Sequence, residues 1–305
     1  MRDVAIVGGS FAGLAAALQL ARTGRDVVVI DACAPRNAMS PAAHGVPGSD
    51  GSAPSDILDR FRSDLAAYET VTLQQDRVIG ITGAQDAFEL DIAASERIAA
   101  RRLILAHGVG DVLPDLPGIE ACWGRTLLHC PYCHGHEARD RPLAVLAVHP
   151  MALHQAMMLR ADWSEQITLL TGAGTDLDLS GLDRGLIDLE PREIIGLESD
   201  EDGIIVAFED GARVQFAAVF TQPRVTLERT PAAFLDAQTA QGPLGPFIRV
   251  GAMGQTTVPG VFAAGDCARP GHAITLALGD GASAGIGCHQ SLVFPDFVQP
   301  LEQAA

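Results

Sequence analysis

The sequence is short of positive charge, of aromatic residues and of closely spaced cysteines, and each shortage closes off a class of function. Against 38 Asp and Glu there are only 21 Lys and Arg, a net charge of −17. Such a surface repels polyanions, which argues against nucleic acid and anionic membranes as partners. No run of about eighteen uninterrupted apolar residues occurs, so no membrane-spanning helix is expected. The apolar stretch from Val4 to Leu20 follows Arg2 as a secretory leader would, but Asp3 is wrong for one. Gly8, Gly9 and Gly13 also break the stretch at phosphate-loop spacing. Six cysteines in 305 residues are too few for a secreted disulfide scaffold and point to a reducing cytoplasm. Few aromatics beside 32 glycines suit an α/β fold with many tight strand-to-helix turns, and the length allows two domains with their own cores.

What is present starts at the N-terminus. Val4-Ala5-Ile6-Val7 is a short apolar run of the kind buried on both faces of a parallel sheet. Gly8-Gly9-Ser10-Phe11-Ala12-Gly13 follows, then Leu14, Ala17, Leu18 and Ala21 at helical spacing, with Gly24 as a stop. Val27-Val28-Val29-Ile30 is the next strand, and Asp31 stands at its end. The pattern predicts a βαβ unit with a dinucleotide fingerprint. Gly8 lets the chain turn, Gly13 allows close helix packing, the helix N-terminus faces a pyrophosphate and Asp31 accepts hydrogen bonds from a ribose. The middle glycine of the fingerprint is Ser10 here, or the turn is shifted by one onto Gly9.

Residues 35–55 are rich in turn formers and read as loop. A helix is expected from Ser55, its cap, to about Tyr68, with Ile57, Leu58, Phe61 and Leu65 on one face. Val71–Gly80, Phe88–Ala93 and Arg101–Leu105 read as antiparallel strands or a crossover meander, and Leu113–Gly118 as a turn-rich exit.

Mid-chain stands His129-Cys130-Pro131-Tyr132-Cys133-His134-Gly135-His136-Glu137. Two cysteines at this spacing close and reopen a small disulfide ring, and a neighbouring base favours the attacking thiolate. His129, His134 and His136 are proton carriers that titrate near neutral pH. Half of a zinc site is the competing reading, but it would use a second CxxC or an HxxxH. Cys33, Cys122, Cys267 and Cys288 are scattered singly and read as small buried residues, so no metal is expected. A structural disulfide is the other plain alternative. The redox reading is preferred because dinucleotide motifs lie on both sides of the pair.

Leu143–Val148, a helix over Ala152–Arg160 and Ile167–Leu170 repeat the βαβ outline. Their turn, His149-Pro150-Met151-Ala152, has no glycine, and Thr171-Gly172-Ala173-Gly174 after Leu170 offers no arginine pair for a 2′-phosphate. From Glu198 to Phe220, Asp202-Gly203 and Asp210-Gly211 punctuate a pair of hairpins. Val258–Asp266 ends a strand at Gly265-Asp266, placing a carboxylate for ribityl hydroxyls. A helix from about Ala273 to His289 then points its N-terminus at a flavin ring.

Three elements in this order, Gly8–Gly13 with Asp31, Cys130–Cys133 and Gly260–Asp266, resemble the low-molecular-weight thioredoxin reductase family of flavoproteins over nearly the whole chain. The resemblance implies an α/β fold of two Rossmann-like, three-layer ββα domains. A discontinuous FAD domain (1–118 and 247–305) would carry an inserted, degenerate pyridine-nucleotide-type domain (119–246), usually in a homodimer. It implies FAD held by Gly8, Gly9, Ser10, Gly13, Asp31, Arg36, Asn37, His44, Gly108, Gly265, Asp266 and Ala273. It also implies Cys133 nearer the flavin and Cys130 as the thiol that exchanges with substrate. The acid that usually follows the second cysteine is His134 here, the nicotinamide fingerprint is missing, and the family's Thr-Gly after the first domain reads His107-Gly108.

The Cys-Pro-x-Cys-His-Gly stretch resembles the branch of gliotoxin- and holomycin-type dithiol oxidases. The implied activity closes a disulfide in a small molecule and passes electrons through FAD to O₂, with His134 or His136 taking the thiol proton. A reductase using NADPH or another donor is the first alternative. A non-catalytic flavin-binding redox sensor is the second.

Overall fold

A computed structural model describes residues 1–172, 177–182, 185–228, 230–295 and 301–302. The chain forms two compact units. Unit 1 comprises Met1–Arg36, Pro54–Gly110 and Val225–Ala305, and unit 2 comprises Asn37–Ala53 and Asp111–Arg224.

Unit 1 opens with β1 (Arg2–Val7), α1 (Phe11–Ala21), β2 (Val27–Asp31), α2 (Pro54–Leu65), β3 (Val71–Gln75), β4 (Val78–Thr82), β5 (Phe88–Ile92) and β6 (Ile98–Leu105). Val4–Val7 and Val27–Ile30 are fully buried, as their unbroken apolar runs require of central parallel strands. β1 pairs parallel with β2 and β6, and β2 with β3. The first half of β6 pairs antiparallel with β5, so one strand serves both the parallel sheet and the meander.

Two local expectations change. The stretch Val71–Gly80 is two strands, because the Asp76 carboxylate accepts the Arg77 N–H at 2.8 Å and the Ser95 hydroxyl at 2.6 Å and turns the chain. Helix α2 starts at Pro54 rather than being capped by Ser55. The fixed φ of proline suits a first helical turn, and the Ser55 hydroxyl bonds Asp56 instead.

The chain continues through β7 (Gly110–Val112), α3 (Ile119–Cys122), β8 (Leu127–Leu128), α4 (Pro131–His134), β9 (Leu143–Leu146), α5 (Ala152–Asp162), β10 (Ile167–Leu170), β11 (Asp188–Glu190), β12 (Ile194–Ser199), β13 (Ile204–Phe208), β14 (Arg213–Phe216) and β15 (Ala218–Phe220). Unit 2 is built on a parallel sheet of order β11-β10-β9-β15-β8 and an antiparallel sheet β12-β13-β14. The pair of hairpins expected from Glu198 to Phe220 forms as β12-β13 and β13-β14, and β15, at the end of that stretch, leaves it. Its residues are all buried and run parallel between β9 and β8.

The return comprises β16 (Arg224–Thr226), β17 (Thr239–Gln241), β18 (Pro246–Ile248), β19 (Val261–Ala263) and α6 (Ile274–Val293). β19 joins β6 as a further parallel strand, completing a seven-stranded sheet in unit 1. Helices α1 and α6 touch through small residues: a Cβ on Gly285 would lie 3.1 Å from the Ala16 Cα. Buried Arg102 donates to the Ser291 carbonyl at 2.9 Å and to its hydroxyl at 3.0 Å, closing the C-terminal end of α6.

The architecture is thus α/β with two Rossmann-like units, each assembled from more than one stretch of the chain. The boundaries expected at 118/119 and 246/247 differ from the unit limits at Gly110 and Val225, and residues 37–53 fall with unit 2. Among the described residues no helix is long and apolar enough to cross a membrane.

Candidate active site

In unit 2, Cys130 and Cys133 form a disulfide with Cα atoms 5.2 Å apart. Cys130 is the N-cap of the single-turn helix α4 and Pro131 its first residue, the position at which a missing N–H costs least. The Cys133 N–H donates to the Cys130 carbonyl at 3.1 Å, and the Gly135 N–H to that of Pro131 at 2.7 Å. The pair follows β8 at the carboxyl edge of the parallel sheet, where open α/β folds carry their sites. Two buried groups fix that edge. Gln155 on α5 donates Nε2 to the His129 carbonyl at 2.8 Å, and the Thr221 N–H donates to the Leu128 carbonyl at 2.8 Å.

Tyr132, inside the ring, is 76% exposed and stands edge-on to Trp163 with centroids 5.7 Å apart. A Cβ on buried Gly135 would come within 2.7 Å of the Trp163 ring, so the residue after His134 has to be small. Sequence reasoning missed Gln155 and Trp163, since both reach the site across the fold and neither carries a local signal.

His134 is half-buried and lies beside the pair. Desolvation holds it below the ordinary histidine range, the Glu137 carboxylate opposes that, and His44 adds to it. It is therefore neutral at physiological pH and able to accept a proton. His136 is exposed. His44 comes from the 37–53 segment of the same unit and packs edge-to-face on His134 at 6.3 Å. His44 and Asn37 are counted with unit 2, and the other residues expected to hold the cofactor with unit 1.

Unit 1 gathers those others. A Cβ on Gly8 would run into the Ala106 carbonyl, and one on Gly13 into the Gly8 carbonyl. One on Gly9 would meet the Asp31 side chain at 2.7 Å. Only glycine fits these positions, and the turn brings bare backbone to the start of α1. Ser10 is the N-cap of α1 but no side chain caps that terminus, which leaves its N–H groups directed at an anion site. Asp31 ends β2 beside Gly9, and its Oδ1 accepts the Cys33 N–H at 3.2 Å.

At the sheet's far edge Arg36 Nη1 lies 3.0 Å from Asp266 Oδ2 and 2.6 Å from His272 Nδ1. His272, which the sequence did not single out, precedes Ala273, the N-cap of α6. Gly265 holds φ +75° against Ala12. Gly108 has φ +70° with open space beside it, and its carbonyl contacts His107 Nδ1 at 2.9 Å. Burial pushes His107 down to about 4. An uncapped helix N-terminus on bare backbone, a strand-end acid and a second helix N-terminus next to a carboxylate fit the pyrophosphate, ribose and ring of FAD.

The matching turn of unit 2 does not fit a pyrophosphate. His149 is 3% exposed and fills the turn with its own ring. Its Nδ1 accepts the Met151 N–H at 3.1 Å and its carbonyl the Ala152 N–H at 2.9 Å. Two backbone donors of the turn, those of Met151 and Ala152, are thereby bonded inside the chain, and Pro150 has none to offer. Of the segment after Leu170, Ala173 and Gly174 lie outside the described residues.

The single cysteines divide. Cys122, Cys267 and Cys288 are buried as expected, and desolvation raises the Cys267 thiol to about 12. Cys33 is exposed, contrary to expectation, because it sits at φ +54° in the turn that leaves β2. Among the described residues no cluster of His, Cys, Asp and Glu could hold a metal.

Residues 2–172 match the family model described as pyridine nucleotide-disulphide oxidoreductase. The chain is 34% identical to thioredoxin reductase tcpT of Claviceps purpurea over 278 residues, covering 87% of this chain and 86% of that protein. It is 33% identical to thioredoxin reductase aclD of Aspergillus oryzae over 312 residues, covering 96% and 97%. The solved structure of an oxidoreductase from Agrobacterium tumefaciens superposes with a TM-score of 0.89 at 38% identity, covering 97% of this chain and 99% of that one. With a flavin-type cradle in one unit and a cysteine pair in the other, the chain belongs to the pyridine nucleotide-disulphide oxidoreductases and is a thioredoxin reductase-like, FAD-dependent disulfide oxidoreductase.

Proposed function

We propose that the protein is a dithiol oxidase, closing a disulfide in a small-molecule dithiol with O₂ as the final electron acceptor. The observation that carries this reading is the glycine-free His149 turn, where the buried ring and carbonyl of His149 take the Met151 and Ala152 N–H groups. A nicotinamide donor would need those donors for its pyrophosphate.

The exchange uses the chain's own groups. One substrate thiolate attacks Cys130, a substrate–Cys130 bond forms, the Cys130–Cys133 bond breaks, and Cys133 leaves as thiolate. The second substrate thiolate attacks the substrate sulfur, the product disulfide forms, and Cys130 leaves. Two electrons have moved from the dithiol to the cysteine pair, and two protons from the dithiol must be placed. His134, held neutral beside the pair, accepts the first, with exposed His136 as the weaker candidate. When bound, FAD supplies the two-electron chemistry that re-forms the disulfide, with O₂ as acceptor.

We assign Gly8, Gly9, Ser10 and Gly13 to the pyrophosphate, Asp31 to the ribose, and Asp266 with Arg36 to the ribityl side. Gly108, Gly265 and Ala273 shape the ring end. Placement in a reducing cytoplasm is supported by the four other cysteines remaining free. A homodimer follows the family resemblance and would show as twice the chain's mass in light scattering.

The names of the fungal relatives support a second reading, a reductase. Anaerobic bleaching of the bound flavin decides between them. The oxidase bleaches with dithiothreitol and regains colour in air, while NADPH leaves it yellow. Rapid bleaching by NADPH selects the reductase.

A further inference from the structure

The thiol exchange releases two protons, and His134 holds one. The segment 37–53 brings a second imidazole to the same place in unit 2. Its loop is drawn tight by the Gly45 N–H donating to Asp50 Oδ1 at 2.7 Å and by the Ala43 N–H donating to the Ser52 carbonyl at 2.8 Å. Gly45, Gly48 and Gly51 all take positive φ, between +71° and +81°, a geometry that side chains rarely adopt. The loop thus presents His44 in one fixed pose, its side chain 20% exposed.

Each ring nitrogen of His44 has a carboxylate: Nδ1 lies 3.5 Å from Asp50 Oδ2 and Nε2 lies 3.5 Å from Glu137 Oε1. An imidazole with an acceptor at both nitrogens can carry a proton on both. Glu137 faces His134 as well, and the two rings meet edge to face at 88°. The titratable groups around the pair are therefore Asp50 and Glu137 on His44, Glu137 and His44 on His134, and His136, whose charge reaches Asp50.

We propose that His44 is a second proton acceptor of the thiol exchange, sharing Glu137 with His134 and taking up the second proton that a dithiol releases. The inference rests on the reading of Cys130–Cys133 as an exchanging pair and holds whichever way electrons run. A reductase would draw on the same two imidazoles as proton donors. The arrangement also gives the 37–53 segment a role in the chemistry of unit 2.

The test measures disulfide opening alone. The FAD-loaded protein is mixed anaerobically with dithiothreitol, quenched by alkylation at set times, and the freed Cys130 and Cys133 are counted by mass across a pH series. His44→Gln keeps a donor toward Glu137 but carries no proton. Its rate is expected to fall about ten-fold near pH 6 and to approach wild type near pH 9, where thiols ionise unaided. Added imidazole is expected to restore the rate of His44→Ala near pH 6.

Asp50→Asn retains the acceptor for the Gly45 N–H and is expected to shift the acid limb in the same direction by less. If the His44 variants fail to fold, this variant decides: a shifted limb supports the proposal and an unshifted one overturns it. Superimposed profiles for wild type and His44→Gln would overturn it, as would a uniform loss at every pH without rescue. Because NADPH plays no part in the assay, these outcomes are separate from the choice between oxidase and reductase.

Discussion

At the scale of single residues, His107 joins stability to the flavin-type unit. Its Nδ1 bonds the Gly108 carbonyl, while its buried Nε2 has no partner among the described residues. Burial holds its folded pKa at about 4, below an unfolded value of about 6.5. The folded state thus binds fewer protons than the unfolded one. The contribution is complete above about pH 6.5 and is lost as pH falls through about 4, at most about 3 kcal/mol. His107→Asn retains a donor toward Gly108 and cannot titrate. Its melting temperature is expected to drop less than that of wild type between those pH values, and parallel curves would show that His107 does not set the acid limb. Much at this scale is legible in sequence, because the spacings of Gly8, Gly13 and Asp31 and of Cys130 and Cys133 are local. The exposure of Cys33 and the plugging of the second turn by His149 are not, since each depends on where the chain goes next.

At the scale of elements, the parallel strands were readable wherever both faces are buried, as in β1, β2, β9 and β10. β15 was not, because three apolar residues after a hairpin signal do not say which sheet they will join. Nor does the turn-rich composition of 37–53 reveal that its folded partner is the cysteine helix. The join between β6 and α6 is likewise invisible in sequence, and it rests on a charge. Arg102 is 1% exposed and bonds the Ser291 carbonyl, the Ser291 hydroxyl and, at 2.8 Å, Asp86. A cation at a helix C-terminus is favourable, and the last carbonyls of α6 need donors. Arg102→Met is expected to lower stability by about 3 kcal/mol, mainly by leaving those acceptors unpaired. Arg102→Lys, which keeps the charge but not the planar fork, is expected to fall between. Urea midpoints give the comparison, and an Arg102→Met value within about 0.5 kcal/mol of wild type would show the contact to be idle.

At the scale of the whole molecule, the net charge of −17 bears on which thiols can reach the cysteine pair. A field of one sign acts on charged partners over about a Debye length and leaves neutral small molecules alone. An acidic dithiol protein meets repulsion at low ionic strength, and its rate is expected to rise as salt screens that field. Dithiothreitol, small and neutral, is expected to open the disulfide at a rate that salt does not change. The two dependences, measured side by side in stopped flow on the same FAD-loaded sample, test the small-molecule reading separately from the choice of electron acceptor. A faster reaction with the acidic protein at low salt would mean that a local basic surface guides a protein partner to Tyr132 and the pair beside it. That outcome would favour a reductase with a protein substrate. A flat response to dithiothreitol together with repulsion of the protein would leave the exposed Tyr132 edge to a small, uncharged dithiol, which is the substrate class that the charge, the cysteine pair and the closed second turn jointly favour.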